Sequence, residues 1–412
     1  MRIAIIGGGP AGMMCAATIC EANPSAKIYL IDRNNHLGAK VIISGGGRCN
    51  VTTGINDVKT VLKNYPRGGK FLTKATYAFP PSAVYDWFES HGVPLKVQDD
   101  MRVFPVSDNG KDVVRIFEKI FDELGVCVML NQSVESVQKK KNEFFITVKN
   151  KKEPLIVDKL VITTGGQAYR KTGSKGDGYA FAQSLGHTIT PLAPSLSALC
   201  TKEKWPAKVS GLSFGKATIK ALGKKIYSFT GPFLFTHKGV SGPAVFALSS
   251  LVAFEKQDAK HPLQITIDLF PDDTLERLCA RSLRLIEQNK TKQLINIIGL
   301  FVPKSLAQIV VDELSLSASV RADQVAKKEI NACIDWLKSV PLTVVSAGAG
   351  DEFVTAGGVE LSEIDSKTME SKVCLGLYFA GEVMNVDGFT GGFNLQASWA
   401  TGRVAGKHVG YM

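Results

Sequence analysis

The chain has no Cys-x-x-Cys pair. Its eight cysteines, at 15, 20, 49, 127, 200, 279, 333 and 374, form no regular framework, so neither a disulfide-built secreted fold nor a redox dithiol is expected. Cys15 and Cys20, the only close pair, are five helical steps apart, about 140° around a helix, too far to work together. The six histidines show no H-x-x-x-H or comparable spacing, and no metal site is expected. The uncharged stretch Gly239–Phe254 is too short to cross a bilayer and contains Gly242-Pro243, which argues against a membrane partner. No basic leader precedes the first apolar run, so the expectation is a soluble, cytoplasmic protein. A second G-x-G-x-x-G is missing, which argues against a separate nicotinamide-binding domain of the disulfide-reductase kind.

What is present is ample for a large fold. At 412 residues, 45% hydrophobic and 21% charged, the chain exceeds one comfortable core and predicts two or three domains. The net charge of +11 is concentrated. Lys59, Lys63, Arg67, Lys70 and Lys74 occur between 59 and 74 without an acid, and seven lysines stand against Glu203 alone between 201 and 225. These segments hold the whole excess. They suit an anionic partner such as RNA, bound in a salt-sensitive way. The alternative is two solvated lysine-rich faces.

The first thirty-two residues carry the most information. Arg2 to Ile6 reads as a buried strand, and Gly7, Gly9 and Gly12 give the G-x-G-x-x-G spacing at the mouth of a small-residue helix. Gly7 permits the tight turn, Gly9 lets a pyrophosphate approach the backbone, and Gly12 allows close helix–strand packing. The helix N-terminus offers N–H groups and partial positive charge to the phosphates. Asp32 ends the second strand twenty residues after Gly12, where a carboxylate accepts from ribose hydroxyls. This is a dinucleotide grip.

A glycine-rich loop follows from Gly38 to Gly54, then helical and irregular stretches to about Gly125. Runs at 126–130, 134–139, 144–149 and 155–157 read as an antiparallel excursion. Lys159 to Thr164 reads as a buried strand entering a second glycine turn at Gly165-Gly166. Short β-like runs at 217–222, 225–229, 233–236 and 263–269 come next. Apolar stripes through Leu278 and Leu285, and through Leu306 and Val310, predict core-facing helices. Strands are expected again at 356–359 and 376–380, before a final small-residue helix. The predicted organisation is α/β: a dinucleotide domain from both chain ends (1–190 and 341–412), interrupted by a β-domain (191–272) and a helical subdomain (273–340).

Four segments, SGGGRCNVT (44–52), FTHKGVSGPA (235–244), VTAGGVELSEIDSKTMESK (354–372) and GLYFAGEVMNVDGFTGGFNLQASWATG (376–402), resemble the characteristic blocks of the BaiN-type family of FAD-binding oxidoreductases, also described as aminoacetone-oxidase-like flavoproteins. The resemblance implies a Rossmann-like FAD domain, an inserted antiparallel β-barrel and a helical subdomain. The expected FAD contacts are Gly7, Gly9, Pro10, Ala11 and Gly12 at the first turn, with Asp32 and Arg33 at the ribose. Lys40, Ser44, Gly45, Gly46, Arg48, Cys49 and Asn50 are expected along the loop, and Val134, Thr164 and Gly165 beyond it. Near the C-terminus they are Gly381, Glu382, Asp387, Gly391, Gly392, Phe393, Asn394 and Leu395. Asn385 stands where the family block is expected to carry Asp.

Flavin itself performs hydride transfer, so the protein must supply orientation, electrostatics and a proton. Cys49, Asn50 and His237 are the candidate catalytic residues; the alternative is a small packed side chain beside the flavin for Cys49 and a structural role for His237. The expected activity is an NAD(P)H-fed reduction of an activated C=C or C=O in a small molecule, NAD(P)H being a transient donor. Alternatives are reduction of uridine in ribosomal RNA, since one branch of the family resembles ribosomal dihydrouridine synthases, and an oxygen-using amine oxidase. A flavin sensor without turnover is a further alternative. Trp205, between Lys204 and Lys208, either packs or stacks on a base.

Overall fold

The computed structural model describes residues 1–347 and 352–411. It divides into two compact units, Met1–Ser195 with Glu352–Met412, and Leu196–Asp351.

The first unit is built on a five-stranded sheet in which every pairing is parallel. Arg2–Ile6 lies between Lys27–Ile31 and Lys159–Ile162, with Cys127–Met129 and Leu377–Phe379 at the edges. Ile3, Ile5, Leu30, Leu160 and Phe379 are fully buried, as a sheet covered on both faces requires. The helix Pro10–Ala22 packs along the C-terminal helix Phe393–Tyr411. A Cβ on Gly402 would stand 2.4 Å from the Ala11 carbonyl oxygen, and one on Gly406 2.6 Å from that of Cys15. The small residues of the last helix therefore let two helix backbones touch. Trp399 of that helix donates to the Val51 carbonyl (2.9 Å), and Gln396 accepts from the Thr52 hydroxyl (2.6 Å), so the end of the chain fixes the exit of the glycine-rich loop.

Two expectations change here. Residues 126–130 belong to the parallel sheet and not to the antiparallel excursion, because the helix Gly110–Leu124 makes the crossover that a parallel neighbour needs. The true excursion is a three-stranded sheet of Val134–Lys140, Glu143–Val148 and Leu155–Val157. The region read as helical and irregular contains a second small antiparallel sheet, Thr52–Thr53, Arg102–Pro105 and Leu95–Val97, whose strands are too short to show alternation.

The second unit is a closed six-stranded antiparallel barrel. Around it run Leu199–Thr201, Gly239–Ser241, Ile226–Thr236, Ser213–Leu222, Leu263–Asp268 and Val340–Ala347. Helices Leu275–Gln288, Leu294–Ile298, Lys304–Glu313 and Lys327–Lys338 are inserted between the last two strands. The boundary expected at 340–341 thus falls inside the barrel, since Val340–Ala347 closes it through pairings at both edges. At the other junction Ala193–Ser195 pairs with Val354–Ala356 within the first unit. The runs at 225–229 and 233–236 form one long strand. Trp205 is buried against Phe235 and Trp336, so it packs. Among the described residues no helix is long and apolar enough to cross a membrane.

Candidate functional site

The three fingerprint glycines face three different constraints. A Cβ on Gly7, whose φ is +113°, would lie 2.5 Å from the Thr163 carbonyl oxygen, and one on Gly12 would lie 1.9 Å from that of Gly7. Those two are demanded by the protein's own packing. Gly9 has ordinary extended backbone (φ −79°, ψ −172°), and a Cβ there would meet nothing within 4 Å. It begins a helix without a side-chain cap, with Pro10 in the first turn and Ala11 buried. The first N–H groups of that helix thus have no capping side chain.

Asp32 lies at the end of the second strand. Its Oδ2 accepts from the Gly8 N–H (2.6 Å) and its Oδ1 from that of Asn34 (2.8 Å). Burial pushes its carboxyl up from the ordinary value, against the hydrogen bonds from Asn34 and Gly8. Arg33 beside it pairs with Asp177. The Gln132 N–H donates to the Asp32 carbonyl and that of Asn131 to Asn34, which sets Ser133 and buried Val134 against this end of the sheet.

The glycine-rich loop is a short helix, Ala39–Ile43, followed by a tight turn Ser44–Gly47 in which Gly45 and Gly46 take φ of +57° and +72°. Gly45, Gly46 and Gly47 are exposed, and a Cβ on either of the last two would meet nothing within 4 Å. Open space thus lies over bare backbone here as it does at Gly9. The Arg48 guanidinium sits 4.0 Å from the centre of the Phe104 ring. The Cys49 N–H donates to the Ser44 carbonyl, and Asn50 Oδ1 accepts from the Val103 N–H (3.2 Å). Cys49 is fully buried, and burial pushes its thiol up to about 12. It remains a thiol at neutral pH.

Lys40 joins this loop to the C-terminal segment. Its ammonium is 2.8 Å from Glu382 Oε2, and Glu382 Oε1 accepts from the Thr355 N–H (2.9 Å). A Cβ on Gly166 would be 3.0 Å from the same Oε1, and one on Gly165 3.0 Å from Ser174 Oγ. Thr164 packs so closely on Gly178 that a Cβ there would lie 2.0 Å from its hydroxyl oxygen. Gly381, at φ +76°, has its N–H bound by Thr401, and a Cβ on it would be 2.9 Å from that of Ala11. The fold therefore gathers the loop, the second glycine turn and Gly381-Glu382 around the mouth of the first helix. Thr355, whose hydroxyl accepts from the N–H groups of Gln167 and Ala168, belongs to this group, and no spacing in the sequence marks it.

Other expected contacts have other work. Asp387 is fully buried; Arg67 bridges both its oxygens, and the Ser195 hydroxyl donates to Oδ2 (2.8 Å). Its carboxylate is thus held by protein groups and supports the loop before the last helix. Asn394 likewise clasps Gly388, accepting from its N–H and donating to its carbonyl at 2.8 Å each. A Cβ on Gly392 would be 2.3 Å from the Thr52 carbonyl oxygen; the backbone from Gly391, φ +132°, to Phe393 and half-buried Leu395 opens the C-terminal helix. The Phe393 carbonyl accepts from the Tyr65 hydroxyl. His237 lies in the second unit, exposed in the turn between Ile226–Thr236 and Gly239–Ser241. Among the described residues no cluster of metal ligands occurs.

The residues suit FAD: the backbone at Gly9, Gly46 and Gly47 leaves room for close approach of a long dinucleotide, with helix N-termini at Pro10 and Phe393. A model of the HI0933-like protein Rossmann domain matches residues 1–408. The chain is 27% identical over 408 residues to a 3-dehydro-bile acid delta(4,6)-reductase of Clostridium scindens, covering 98% of both chains. It is 28% identical over 405 residues to a ribosomal RNA dihydrouridine synthase of Haemophilus influenzae, covering 96% of this chain and 95% of that one. In fold it resembles a 3-ketosteroid-delta4-(5alpha)-dehydrogenase from Rhodococcus jostii, with a TM-score of 0.53 and 13% identity over 99% of this chain and 96% of that one. The chain belongs to the HI0933-like Rossmann family and is an FAD-dependent oxidoreductase.

Proposed function

We propose that this enzyme reduces a carbon–carbon double bond conjugated to a carbonyl, with a reduced nicotinamide nucleotide as a diffusing donor. The observation that carries this reading is that relatives matched over nearly their whole length share one type of bond despite unrelated substrates. A delta(4,6)-reductase of a 3-dehydro steroid and a synthase of dihydrouridine both saturate a C=C in conjugation with C=O. Bound FAD supplies hydride at N5 to such a bond. The chain's part is to place the cofactor with the Gly9 turn and the Gly45–Gly47 backbone, and to hold the loop through Lys40 and Glu382. Cys49 keeps its proton, so it serves as packing or as a proton donor and not as a thiolate nucleophile.

A specific observation favours an RNA base as the substrate within this chemistry. Lys59, Lys63, Lys70 and Lys74 are exposed on Val58–Leu62, Gly69–Ala78 and the turn joining them. Tyr77, 52% exposed, shares the helical face of Lys70 and Lys74. Arg67 is committed to Asp387 and does not belong to that patch. The lysines between 202 and 225 are also exposed, with Lys216 paired to Asp272.

The test is anaerobic. The holoprotein is mixed with NADH or NADPH until the flavin bleaches, then offered a 4-en-3-one steroid, an rRNA transcript or air. Fast reoxidation by one conjugated substrate with slow reoxidation by air supports the proposal. Bleaching by amines and not by nicotinamide would assign an oxidase instead.

A further inference from the structure

Both tryptophans of the first unit belong to one aromatic row. Trp399 is fully buried, and its indole N–H donates to the Val51 carbonyl (2.9 Å), just beyond Cys49 in the loop that carries expected FAD contacts. Its ring stacks on fully buried Phe117 of the helix Gly110–Leu124, with centroids 5.8 Å apart and planes 13° from parallel. Phe117 stacks in turn on Trp87 of the helix Pro81–Ser90, at 5.1 Å and 23°. Phe88 meets the same two tryptophans edge-on, at 5.4 Å from Trp399 and 5.0 Å from Trp87. Exposed His91 stacks on the far side of Trp87 at 4.1 Å. The row therefore runs from the exit of the loop to the surface.

The two ends differ in where a proton can go. Indole has a donor and no acceptor, and an indole that has lost an electron becomes strongly acidic at that N–H. At Trp399 the N–H faces a peptide carbonyl, which does not take up a proton, so a positive hole there stays mobile. At Trp87, Nε1 lies 3.5 Å from Oε1 of exposed Glu21, whose other oxygen pairs with Arg403 (2.7 Å). A carboxylate in contact with water accepts the proton and fixes the hole as a neutral radical.

We propose that Trp399, Phe117 and Trp87 form a one-electron conduit that carries oxidising equivalents from the flavin site to the surface. The oxidant is oxidised flavin excited by light. It takes one electron from Trp399, Trp87 refills Trp399 across the Phe117 ring, and Trp87 releases its Nε1 proton to Glu21, which passes it to water. A thiol at the surface then returns a hydrogen atom to Trp87. The flavin has gained one electron, the solvent one proton, and the thiol has lost a hydrogen atom. Buried Cys49, in the same loop, is thereby spared oxidation. The inference rests on the placement of FAD at this loop and not on the bond that the enzyme reduces.

The test is flash photolysis of the oxidised, FAD-loaded full chain, read by flavin fluorescence lifetime and by the visible absorption of tryptophanyl radicals. Wild type is expected to show a shortened lifetime and a long-lived neutral radical. W399F should lengthen the lifetime and lose the radical. W87F should keep the short lifetime and lose the long-lived radical, because the hole then returns to the flavin. E21Q should leave the radical protonated and short-lived, while W336F, in the second unit, changes neither signal. No radical in wild type, a wild-type radical yield in W87F, or an unchanged lifetime in W399F would each overturn the proposal. E21Q, altered at an exposed position, decides should the tryptophan variants lose their fold, and wild-type radical decay in it is equally fatal. Anaerobic bleaching by NADH or NADPH on the same samples tests the proposed reaction separately.

Discussion

Replacing Gly9 and Gly12 separately by alanine distinguishes a glycine required by a ligand from one required by the fold. At Gly12 the new methyl would stand 1.9 Å from the Gly7 carbonyl oxygen and 2.7 Å from Thr163 Oγ1, both inside the packed turn. Such overpacking costs about 3 kcal/mol, which in a unit of this size lowers the thermal midpoint by about 6–12 °C. At Gly9 the backbone is one any residue adopts, and the methyl would meet nothing within 4 Å. Loss of glycine at the helix cap costs the apoprotein about 1 kcal/mol or less. The same methyl occupies the space over the first N–H groups, where the pyrophosphate must approach. Losing two hydrogen bonds to a charged group costs about 3 kcal/mol or more, roughly a hundredfold in Kd. Differential scanning of the apoproteins and quenching of flavin fluorescence separate the two effects. FAD binding by G9A within about threefold of wild type would refute the placement of the pyrophosphate at this turn. An unchanged midpoint for G12A would refute the packing argument.

Four further outcomes are expected. The Lys40–Glu382 pair, with side chains only 22% and 16% exposed, should give a coupling of about 1–2 kcal/mol in a K40M/E382Q double-mutant cycle read by FAD affinity; additivity would remove its role in joining loop to cofactor. D387N removes the fully buried carboxylate that half-buried Arg67 pairs with and should cost about 3 kcal/mol of unfolding free energy, since its partners are protein groups and its loss is one of support. His187 donates from Nδ1 to Glu363 and accepts at Nε2 from Ser371, whose oxygen in turn accepts from the N–H groups of Val373 and Cys374. Burial lowers its pKa below 6.5, opposed by Glu363; the unfolded chain therefore takes up the proton first, and stability present above about pH 6.5 falls as pH drops through the folded value. The midpoint of H187Q should show a smaller loss between pH 8 and pH 5. Finally, iodoacetamide at neutral pH should label exposed Cys127 in the native protein and spare Cys49, a result that peptide mass mapping checks directly.

The parts of the fold and site that were legible before the structure are those whose physics is local. Gly7, Gly9 and Gly12 sit within one turn, and their spacing relative to an apolar strand and a small-residue helix is enough to identify the grip. The apolar strands Lys159–Ile162 and Leu377–Phe379 were legible as buried runs for the same reason. The barrel boundary was not legible, because Val340–Ala347 looks like any buried strand and its partners lie in segments around 200 and 265. Nor was the parallel placement of Cys127–Met129, which depends on the helix before it and not on its own three residues.

Sequence alone identified the dinucleotide grip at the start of the chain, since glycine's freedom and a strand's burial are properties of a few neighbouring residues. Only the tertiary structure decided what each charged residue does. Lys40 meets Glu382, and Arg67 is turned inward to Asp387, across more than three hundred residues in each case. Arg33, Lys149 and Arg170 meet around one cavity although no run of sequence joins them. Charge acts through space, so its partners are set by how the chain returns on itself.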